Sequence, residues 1–521
     1  MRQPLSKWRR GAHCALAVFV TFMLGALAWA WLATDAQRQD KWMRTALFGM
    51  AIYVGLLLWV LFASGWRARA RWTVFMGTLV VIVFCGLCLR IQGVTGDLLP
   101  IVEWRWTQRS TLAGPDGLSA PASTDTNGAL RTARSTMGYP QFLGPNRDGV
   151  LPGPPLARDW KQTPPRKLWR HSVGAAWSSF AIEGQRAITQ EQHGAQELVG
   201  CYDLLTGEPL WRHADQSRYA TTIAGEGPRA TPTIARARVY TMGGAGMLNC
   251  LDLATGKVVW QTNTLAAHGA NLPEWGVACS PLVTDNAVIV TVGGPRSSLV
   301  AYEKEMGTVL WASGNDDVHW SSPTRATFDG IPQILIFSEN VSSYDERTGK
   351  VLWQYPWRSP FPHVTLPLVL SSNRVLVSQG YGGGSELLTV APAGEGWRWR
   401  ATRIWKSIRM KSKFANLIHR AGFVYGLDDG ALACIDLNTG DLKWKGDRYG
   451  HGQMILVGDL LLLMAENGEV VLVEPNPNEQ RELTRFKVFN SKTWNPPALA
   501  GDLLVVRNDR EAACYRLPLA R

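Results

Sequence analysis

Residues 251–260 read LDLATGKVVW, and the same pattern stands at four other places in the chain. The other copies are YDLLTGEPLW (202–211), YEKEMGTVLW (302–311), YDERTGKVLW (344–353) and IDLNTGDLKW (435–444). In all five copies an acidic residue precedes the tryptophan by eight positions, and a glycine precedes it by four. A pattern repeated in this way indicates one structural unit that is used several times along the chain.

Each copy predicts a tight turn between two antiparallel strands. The acidic side chain can accept hydrogen bonds from the turn backbone, and the glycine supplies the positive φ that a short hairpin needs. The strand after the turn ends in a tryptophan, whose large flat indole can fill the space between neighbouring units. The residues expected to carry this structural role are Gly207, Gly256, Gly307, Gly349, Gly440, Trp169, Trp211, Trp260, Trp311, Trp353, Trp405 and Trp444.

Weaker copies of the pattern complete the series. Trp169, Trp405 and Phe486 each end a strand-like run, and together with the five strong copies they give eight markers roughly 40–50 residues apart, the length of a four-stranded propeller blade. Trp169 lacks earlier strands of its own unit, and the C-terminus ends in three strands without a tryptophan strand. Pairing the N- and C-terminal strands predicts an all-β, eight-bladed β-propeller over residues 140–521. A seven-bladed ring stays open, because the units that end at Trp405 and Phe486 are the least regular.

The N-terminal part of the chain has a different composition. Three apolar runs lie at about 11–33, 45–65 and 72–89. Each approaches the roughly 20 residues that cross a hydrocarbon core, and none contains an acidic residue. They predict three transmembrane helices in a membrane anchor over residues 1–94, in contact with the lipid bilayer. The stretch 110–134 is rich in small and polar residues and has no aromatic residue, which predicts a flexible linker over residues 95–139.

Basic residues predict the orientation of these helices. The residues on one side are Arg2, Lys7, Arg9, Arg10, Arg67, Arg69 and Arg71, and those on the other side are Arg38, Lys41, Arg44 and Arg90. The larger number lies on the cytoplasmic side by the positive-inside rule. We therefore expect a multi-pass protein of the inner (cytoplasmic) membrane with a cytoplasmic N-terminus and a periplasmic or extracytoplasmic propeller. Since topology explains part of the net charge of +12, we do not expect nucleic acid as a partner.

The repeat resembles that of a known family. The Asp-x-x-Thr-Gly-x-x-x-Trp unit resembles the pyrroloquinoline quinone (PQQ) repeat, which builds quinoprotein dehydrogenases and also the non-enzymatic propeller lipoprotein of the outer-membrane β-barrel assembly machinery. Residues 140–149 (PQFLGPNRDG) resemble the lead-in segment of PQQ-binding-like β-propeller proteins, and residues 227–232 (GPRATP) and 280–283 (SPLV) resemble their inner strands. The resemblance implies the eight-bladed fold but leaves the function open, because enzymes and scaffolds both use it.

The cysteines give no sign of redox chemistry. Cys85 and Cys88 lie in a membrane segment, where we interpret them as small apolar residues. Four others share one repeat position, which predicts buried small side chains without disulfides; they are Cys201, Cys250, Cys434 and Cys514. Quinoprotein alcohol dehydrogenases usually have an adjacent cysteine pair over the cofactor, and no two cysteines are adjacent in this sequence.

Candidate binding residues come from the predicted centre of the ring. Ligands of propellers usually meet the starts of the innermost strands, and the candidates there are Trp177, Arg229, Ser280, Trp320, His363, Asn416, Gln453 and Trp494. Glu274 and Trp275 belong to a longer connection, which we interpret as a loop. The histidines do not pair at metal-ligand spacing, so no metal site is expected, and the catalytic residues, if there are any, stay unknown.

Two functional hypotheses follow. The first is a non-catalytic binding or scaffold module for a protein, peptide or glycan partner, without a cofactor; the compact blades, which leave little chain for insertions over a cofactor, favour it. The alternative is a PQQ-dependent, membrane-bound dehydrogenase that oxidises an alcohol or a sugar and uses calcium. Whether the protein is an enzyme is therefore left open. An extracytoplasmic sensor is a third possibility, although no cytoplasmic signalling domain is recognisable.

Overall fold

The computed structural model describes residues 7–34, 36–107, 138–317, 320–394 and 399–520. The chain divides into two compact units, Met1–Arg109 and Ser110–Arg521. Most of the predicted linker (108–137), and Arg2 of the charge pattern, lie outside the described residues.

The first unit contains three long helices, α1 (Lys7–Leu32), α2 (Arg38–Phe62) and α3 (Ala68–Cys88). Each is long and apolar enough to cross a membrane. Every helix begins several residues before its predicted apolar run, because the basic flanking residues are also helical. The strands Leu89–Val94 and Pro100–Trp104 form an antiparallel hairpin directly after α3. The second strand lies in the range predicted as linker, and the sequence analysis missed it because its alternation covers only five residues.

The second unit is a ring of eight blades among the described residues, each with four strands that we name a to d from the centre outwards. Blade 1 comprises Ala181–Glu183, Arg186–His193, Gln196–Asp203 and Pro209–Asp215; blade 2 Thr233–Ala235, Arg238–Met242, Met247–Asp252 and Val258–Asn263; blade 3 Leu282–Val283, Ala287–Thr291, Leu299–Glu303 and Val309–Ser313; blade 4 Thr324–Phe328, Ile331–Phe337, Asn340–Asp345 and Val351–Pro356. Blade 5 comprises Leu368–Leu370, Arg374–Gln379, Gly384–Pro392 and Trp399–Ser407; blade 6 Ile418–Arg420, Phe423–Asp428, Ala431–Asp436 and Leu442–Arg448; blade 7 Gln453–Val457, Leu460–Met464, Glu469–Glu474 and Arg481–Lys487; blade 8 Ala498–Ala500, Leu503–Arg507, Glu511–Arg516 and Arg166–Ser172. Four small elements complete the unit: Val150–Leu151, Ala220–Thr221, Gly225–Glu226 and helix α4 (Thr264–His268).

Pairing of the two chain ends closes the ring. The first strand of the propeller, Arg166–Ser172, pairs antiparallel with the last strand, Glu511–Arg516. This pairing removes the open sheet edges that the two ends would otherwise expose. The eight-bladed prediction is confirmed, and the seven-bladed alternative is wrong, because the units that end at Trp405 and Phe486 each form a complete blade.

Repeat tryptophans pack against the glycine turn of the following blade. A Cβ atom on Gly307 would lie 2.6 Å from the ring of Trp260, so only glycine leaves room for the indole. The indole Nε1 of Trp260 also donates to the carbonyl of Lys304, one residue after the turn acid, at 2.9 Å. The same arrangement joins Trp169 to Gly207, Trp211 to Gly256, Trp311 to Gly349 and Trp405 to Gly440. We call this arrangement the Trp–Gly contact.

The acidic residue of the motif holds the turn that the indole meets. Oδ1 of Asp252 accepts hydrogen bonds from the backbone N–H and the hydroxyl of Thr255, at 3.0 and 2.8 Å. Gly256 follows with a φ of 70°, in the left-handed region where a side chain costs free energy. The acid and the glycine of the motif therefore fix the turn against which the tryptophan of the preceding blade packs.

Trp444 and Trp353 lack the glycine of this contact. Nε1 of Trp444 donates to the carbonyl of Asn476 in the next blade, at 2.8 Å, and Nε1 of Trp353 donates to Oε1 of Gln333 in its own blade, at 3.1 Å. Blade 5 lacks the motif, and its long strands c and d instead cover the outer part of blade 4, where Trp353 and Trp399 belong to one buried cluster. A longer hairpin thus replaces the glycine turn at this boundary.

The repeat cysteines occupy the strand c position opposite the tryptophan. The facing pairs are Cys201 with Trp211, Cys250 with Trp260, Cys434 with Trp444 and Cys514 with Trp169. All four side chains are buried, and all eight cysteines of the chain are free. Cys279, which the sequence analysis did not consider, is buried beside the first strand of blade 3.

A buried arginine joins the last blade to the first. Arg507 is fully buried and donates to the carbonyls of Gln190 and Gly174, at 2.8 and 2.7 Å, and to the hydroxyl of Thr189 at 2.8 Å. Burial raises the pKa of nearby Glu191, but a hydrogen bond with His193, the charge of Arg507 and a hydrogen bond from Tyr202 outweigh burial and lower it to about 2. Ring closure therefore depends on a buried ionic network as well as on strand pairing.

We expect the substitution Gly307→Ala to destabilise the propeller more than Gly422→Ala. Both glycines have positive φ, so alanine costs about 1–2 kcal/mol at either site. Only Gly307 faces an indole, whereas nothing lies within 4 Å of a Cβ on Gly422, so we expect about 1–3 kcal/mol more from overpacking at Gly307. Thermal unfolding of the purified variants measures the difference; equal melting temperatures would show that the Trp–Gly contact is unimportant.

We expect Arg507→Met to lower the stability of the propeller by about 3–5 kcal/mol, because it leaves buried acceptors and Glu191 without their cation. A depressed carboxyl pKa stabilises the folded state above the ordinary value of 4.5, and the contribution is lost as pH falls towards 2. Without Arg507 the pKa of Glu191 rises, so this pH-dependent contribution shrinks, and the variant loses less further stability than the unsubstituted protein as pH falls below 4.5. Melting temperatures between pH 3 and pH 7 test this, with Arg516→Met on the same blade as control, since Arg516 forms a more exposed ion pair with Asp502.

Candidate functional site

The segment that precedes the blades crosses one end of the central channel. Tyr139 pairs with Ile182 of blade 1, and the carbonyl of Pro140 accepts a hydrogen bond from Ile234 of blade 2. Further along the segment, Val150–Leu151 pairs in parallel with strand a of blade 7. A segment that contacts opposite sides of the ring must pass between them. We call residues 138–157 the plug.

Arg147 extends the plug towards the middle of the ring. Its guanidinium donates to the carbonyls of Ser280 and Pro281 in blade 3, both at 3.0 Å, and it is almost completely buried. Burial lowers its pKa to about 10, although Cys279 raises it slightly. The lead-in motif of the sequence thus has a structural role, because it connects blades 1, 2 and 3 to blade 7 across the ring.

The opposite end of the ring, which we call the funnel end, is formed by the connections between blades and by the turns between strands b and c. Several predicted site residues there hold neighbouring blades together. Oγ of Ser280 accepts from Thr231 N at 3.0 Å, Oδ1 of Asn416 accepts from Leu366 N at 2.8 Å, and Gln453 donates to the carbonyl of Phe414 at 3.0 Å. His363 is fully buried and stacks on Phe337, with centroids 4.2 Å apart. These four residues therefore have structural contacts, whatever else they do.

The other predicted residues belong to a group of aromatic and basic side chains. Trp177 of the connection into blade 1 packs against Trp494 of the connection into blade 8, with centroids 5.0 Å apart. Nζ of Lys492 lies 3.9 Å from the ring centroid of Trp494 and 4.7 Å from that of Trp177. Phe414 contacts the far side of the group, 4.9 Å from Trp494. An ammonium over two indole faces is a favourable cation–π arrangement.

This group continues around the funnel end. The Trp177 indole and the Arg229 guanidinium both donate to the carbonyl of Ala224, at 2.8 and 2.9 Å, and Arg229 lies 4.4 Å over the ring of Tyr219. Tyr219 in turn donates to the carbonyl of Glu274. The path thus connects blade 8 through blade 1 to the connection between blades 2 and 3.

The path closes on the other side. Trp275 lies 4.8 Å from Trp320 and 6.5 Å from Tyr381, and Nζ of Lys413 lies 4.9 Å over the Tyr381 ring. Lys413 is followed in the chain by Phe414, which returns to Trp494. We call this closed series the funnel belt; its members are Trp177, Tyr219, Arg229, Trp275, Trp320, Tyr381, Lys413, Phe414, Lys492 and Trp494.

Burial shifts the pKa values of charged side chains in and near the funnel belt. Burial lowers the pKa of Lys492 to about 8, although Asp509 and Glu466 raise it, and burial also lowers the pKa of Arg229 to about 10. Burial, helped by Asp215 on the adjacent strand, raises the pKa of Glu197 to about 7. Cations held against aromatic faces with little water are suited to bind an anionic group, because their charges are weakly screened.

The structure brings together Trp177, Arg229, Trp320 and Trp494 from the predicted set. Trp275, which we interpreted as part of a loop, joins them. Sequence analysis missed the remaining members of the belt, which are Tyr219, Tyr381, Lys413, Phe414 and Lys492. The sequence holds one local signal for two of them: Phe414 and Lys492 both stand shortly before an innermost strand, Ile418–Arg420 and Ala498–Ala500 respectively.

Two carboxylates at the funnel end have protein donors as partners. A calcium ion would need several convergent oxygen ligands, and these two side chains are already engaged. Glu466 accepts from the Trp494 indole at 2.8 Å and from the backbone of His451 at 2.9 Å, and Glu197 accepts from the backbone of Gly244 at 3.1 Å. The nearby Cys279 is buried without a second thiol beside it. We therefore derive no catalytic step from this site.

Comparison with known proteins finds the same fold in other structures. The model of the family described as outer membrane protein assembly factor BamB matches residues 195–446. Among solved structures, the quinohemoprotein alcohol dehydrogenase of Comamonas testosteroni matches at 12% identity over 74% of this chain and 81% of its own, with a TM-score of 0.53. A europium-containing methanol dehydrogenase matches at 11% identity over 71% of this chain and 99% of its own, with a TM-score of 0.53.

BamB from Moraxella catarrhalis matches at 13% identity over 68% of this chain and 99% of its own, with a TM-score of 0.49. No curated protein matches the sequence significantly. At these identities the structural likeness establishes the fold alone.

We expect Lys492 to react with amine reagents with a pH midpoint near 8 rather than at the ordinary value of 10.5, because burial disfavours its charged form. Arg229→Gln should raise the midpoint by removing a neighbouring cation, and Glu466→Gln should lower it by removing an anion. Peptide mass spectrometry after timed labelling between pH 6 and pH 11 measures all three proteins. A midpoint near 10.5 in the unsubstituted protein would contradict the burial of this ammonium.

Proposed function

We propose that this chain, an eight-bladed β-propeller whose residues 195–446 match the BamB family model, is a non-catalytic recognition module, anchored in the membrane, that holds a protein or peptide partner at the funnel end. The observation that carries this proposal is the funnel belt, where three cations stand among aromatic faces at the end of the channel opposite the plug. Aromatic and arginine side chains are the residues that contribute most to protein interfaces. The matching family's description as an outer membrane protein assembly factor supports a protein partner over a glycan.

The same proposal includes the location of the protein. The three apolar helices cross the inner membrane, and the excess of basic residues around the first turns of α1 and α3 keeps these ends in the cytoplasm. The hairpin after α3 and the propeller then lie on the extracytoplasmic side. A partner that meets the funnel belt there would carry acidic groups to match Lys492 and Arg229, together with apolar side chains that stack on the tryptophans.

We expect a photocrosslinking amino acid at Phe361 to capture a partner in intact cells. Phe361 is exposed at the funnel end and stacks on Tyr381, with centroids 5.5 Å apart. The matched control is Met306, which is exposed in the turn between strands c and d of blade 3, at the opposite end of the ring. The additional substitution Lys492→Glu should lower the yield at Phe361 several-fold by repelling an acidic partner. Equal yields at both positions, or no effect of Lys492→Glu, would contradict a partner site at the funnel belt.

A titration of the full-length protein in nanodiscs with PQQ and calcium distinguishes the enzymatic alternative. We expect no saturable heat of binding. Binding near one equivalent, together with dye-linked oxidation of an alcohol or a sugar, would overturn the non-catalytic proposal.

A further inference from the structure

The hairpin after α3 has one apolar and one polar face. Leu89 pairs with Trp104, and Ile91 pairs with Val102, so these four side chains lie on one face. Arg90 pairs with Glu103 on the other face, where their charged groups are 3.6 Å apart. The alternation of a half-buried strand is therefore present, although the described residues of the first unit leave the apolar face exposed.

The hairpin is held at the end of the helices. Its first residue, Leu89, follows directly on α3, and the backbone of Arg105 donates to the carbonyl of Cys88, the last helical residue, at 2.8 Å. Asp97, in the turn of the hairpin, forms an ion pair with Arg38 in the first turn of α2, at 3.6 Å. The start of α2 and the end of α3 lie at the same side of a membrane, since the two helices run in opposite directions. The hairpin is therefore confined to that side.

The apolar face is unusually exposed for a short hairpin. Ile91 is 60% exposed, Val102 50% and Trp104 46%. Trp106, just after the second strand, stacks on Trp104 with centroids 5.2 Å apart. Tryptophan is enriched where hydrocarbon meets the lipid headgroups, because its ring is apolar and its N–H is polar.

We propose that residues 89–106 lie in the interfacial layer of the extracytoplasmic leaflet, with Ile91, Val102 and Trp104 towards the acyl chains and the Arg90–Glu103 face towards water. The occupant of the apolar face is thus the lipid surface. Continuity with α3 supports this choice, because a helix that ends in the membrane delivers the next residue to the interface. The inference rests on the membrane crossing proposed above.

Spin labels at three positions of the full-length protein in nanodiscs test the inference. The background carries alanine at Cys14, Cys85 and Cys88, and the other five cysteines are buried. Val102→Cys reports on the apolar face, and Glu103→Cys, the next residue, is the matched control on the polar face. Val80→Cys in α3 reports on the membrane crossing itself. The measurement is the collision rate of each label with oxygen, which concentrates in lipid, relative to a water-soluble nickel complex.

We expect the ratio of oxygen to nickel collisions to be several-fold higher at position 102 than at position 103, and high at position 80. A high ratio at 80 with equal, water-like ratios at 102 and 103 would overturn the hairpin inference and leave the membrane crossing intact. Water-like ratios at all three positions would overturn the membrane crossing as well. Low collision rates with both reagents at 102 alone would show that protein, not lipid, covers the apolar face.

Discussion

The Trp–Gly contact is the interaction on which the ring depends. The indole of one blade needs a flat, open surface on the next blade, and a glycine at positive φ is the residue that provides both the turn and the space. The acidic residue holds the same turn, and the carbonyl after it receives the indole N–H. Each copy of the motif therefore contributes to two blades at once. This explains why acid, glycine and tryptophan keep constant spacing while the remaining strands of the blades vary.

Contacts between blades follow the chain almost everywhere, but the ring closes through residues far apart in sequence. Strand d of blade 8 comes from the start of the propeller, so its pairing with Glu511–Arg516 must pay the entropy of a loop that includes all the other blades. The buried network around Arg507 and Glu191 lies at this boundary. The plug adds a second long-range connection, because it joins blades 1, 2 and 3 to blade 7. These features stabilise the part of the ring that local contacts cannot hold.

Residues next to the innermost strands have two kinds of contact: some hold neighbouring blades together, and others form the funnel belt. Ser280, Asn416 and Gln453 use their polar groups between blades, where burial makes an unmade hydrogen bond costly. One layer further towards the funnel end, aromatic rings and cations from six connections form a closed belt. The likeness to dehydrogenase structures at 11% and 12% identity establishes the fold alone, and a shared fold does not decide the function.

The sequence by itself determined the repeat, the pairing of the two ends and the three apolar helices, and it favoured eight blades over the seven that only the structure excluded. These properties are local or periodic, so a constant spacing of acid, glycine and tryptophan and long runs without charge are sufficient evidence for them. Only the tertiary structure decided which residues form the funnel belt, because its members come from connections of unequal length whose ends meet through the curvature of the ring. Spacing along the chain carries no information on such meetings, and so Lys492, Tyr381 and Phe414 were missed while Trp177 and Trp494 were found. The plug and the hairpin after α3 were hidden for the same reason: each is a short segment whose role depends on what it contacts.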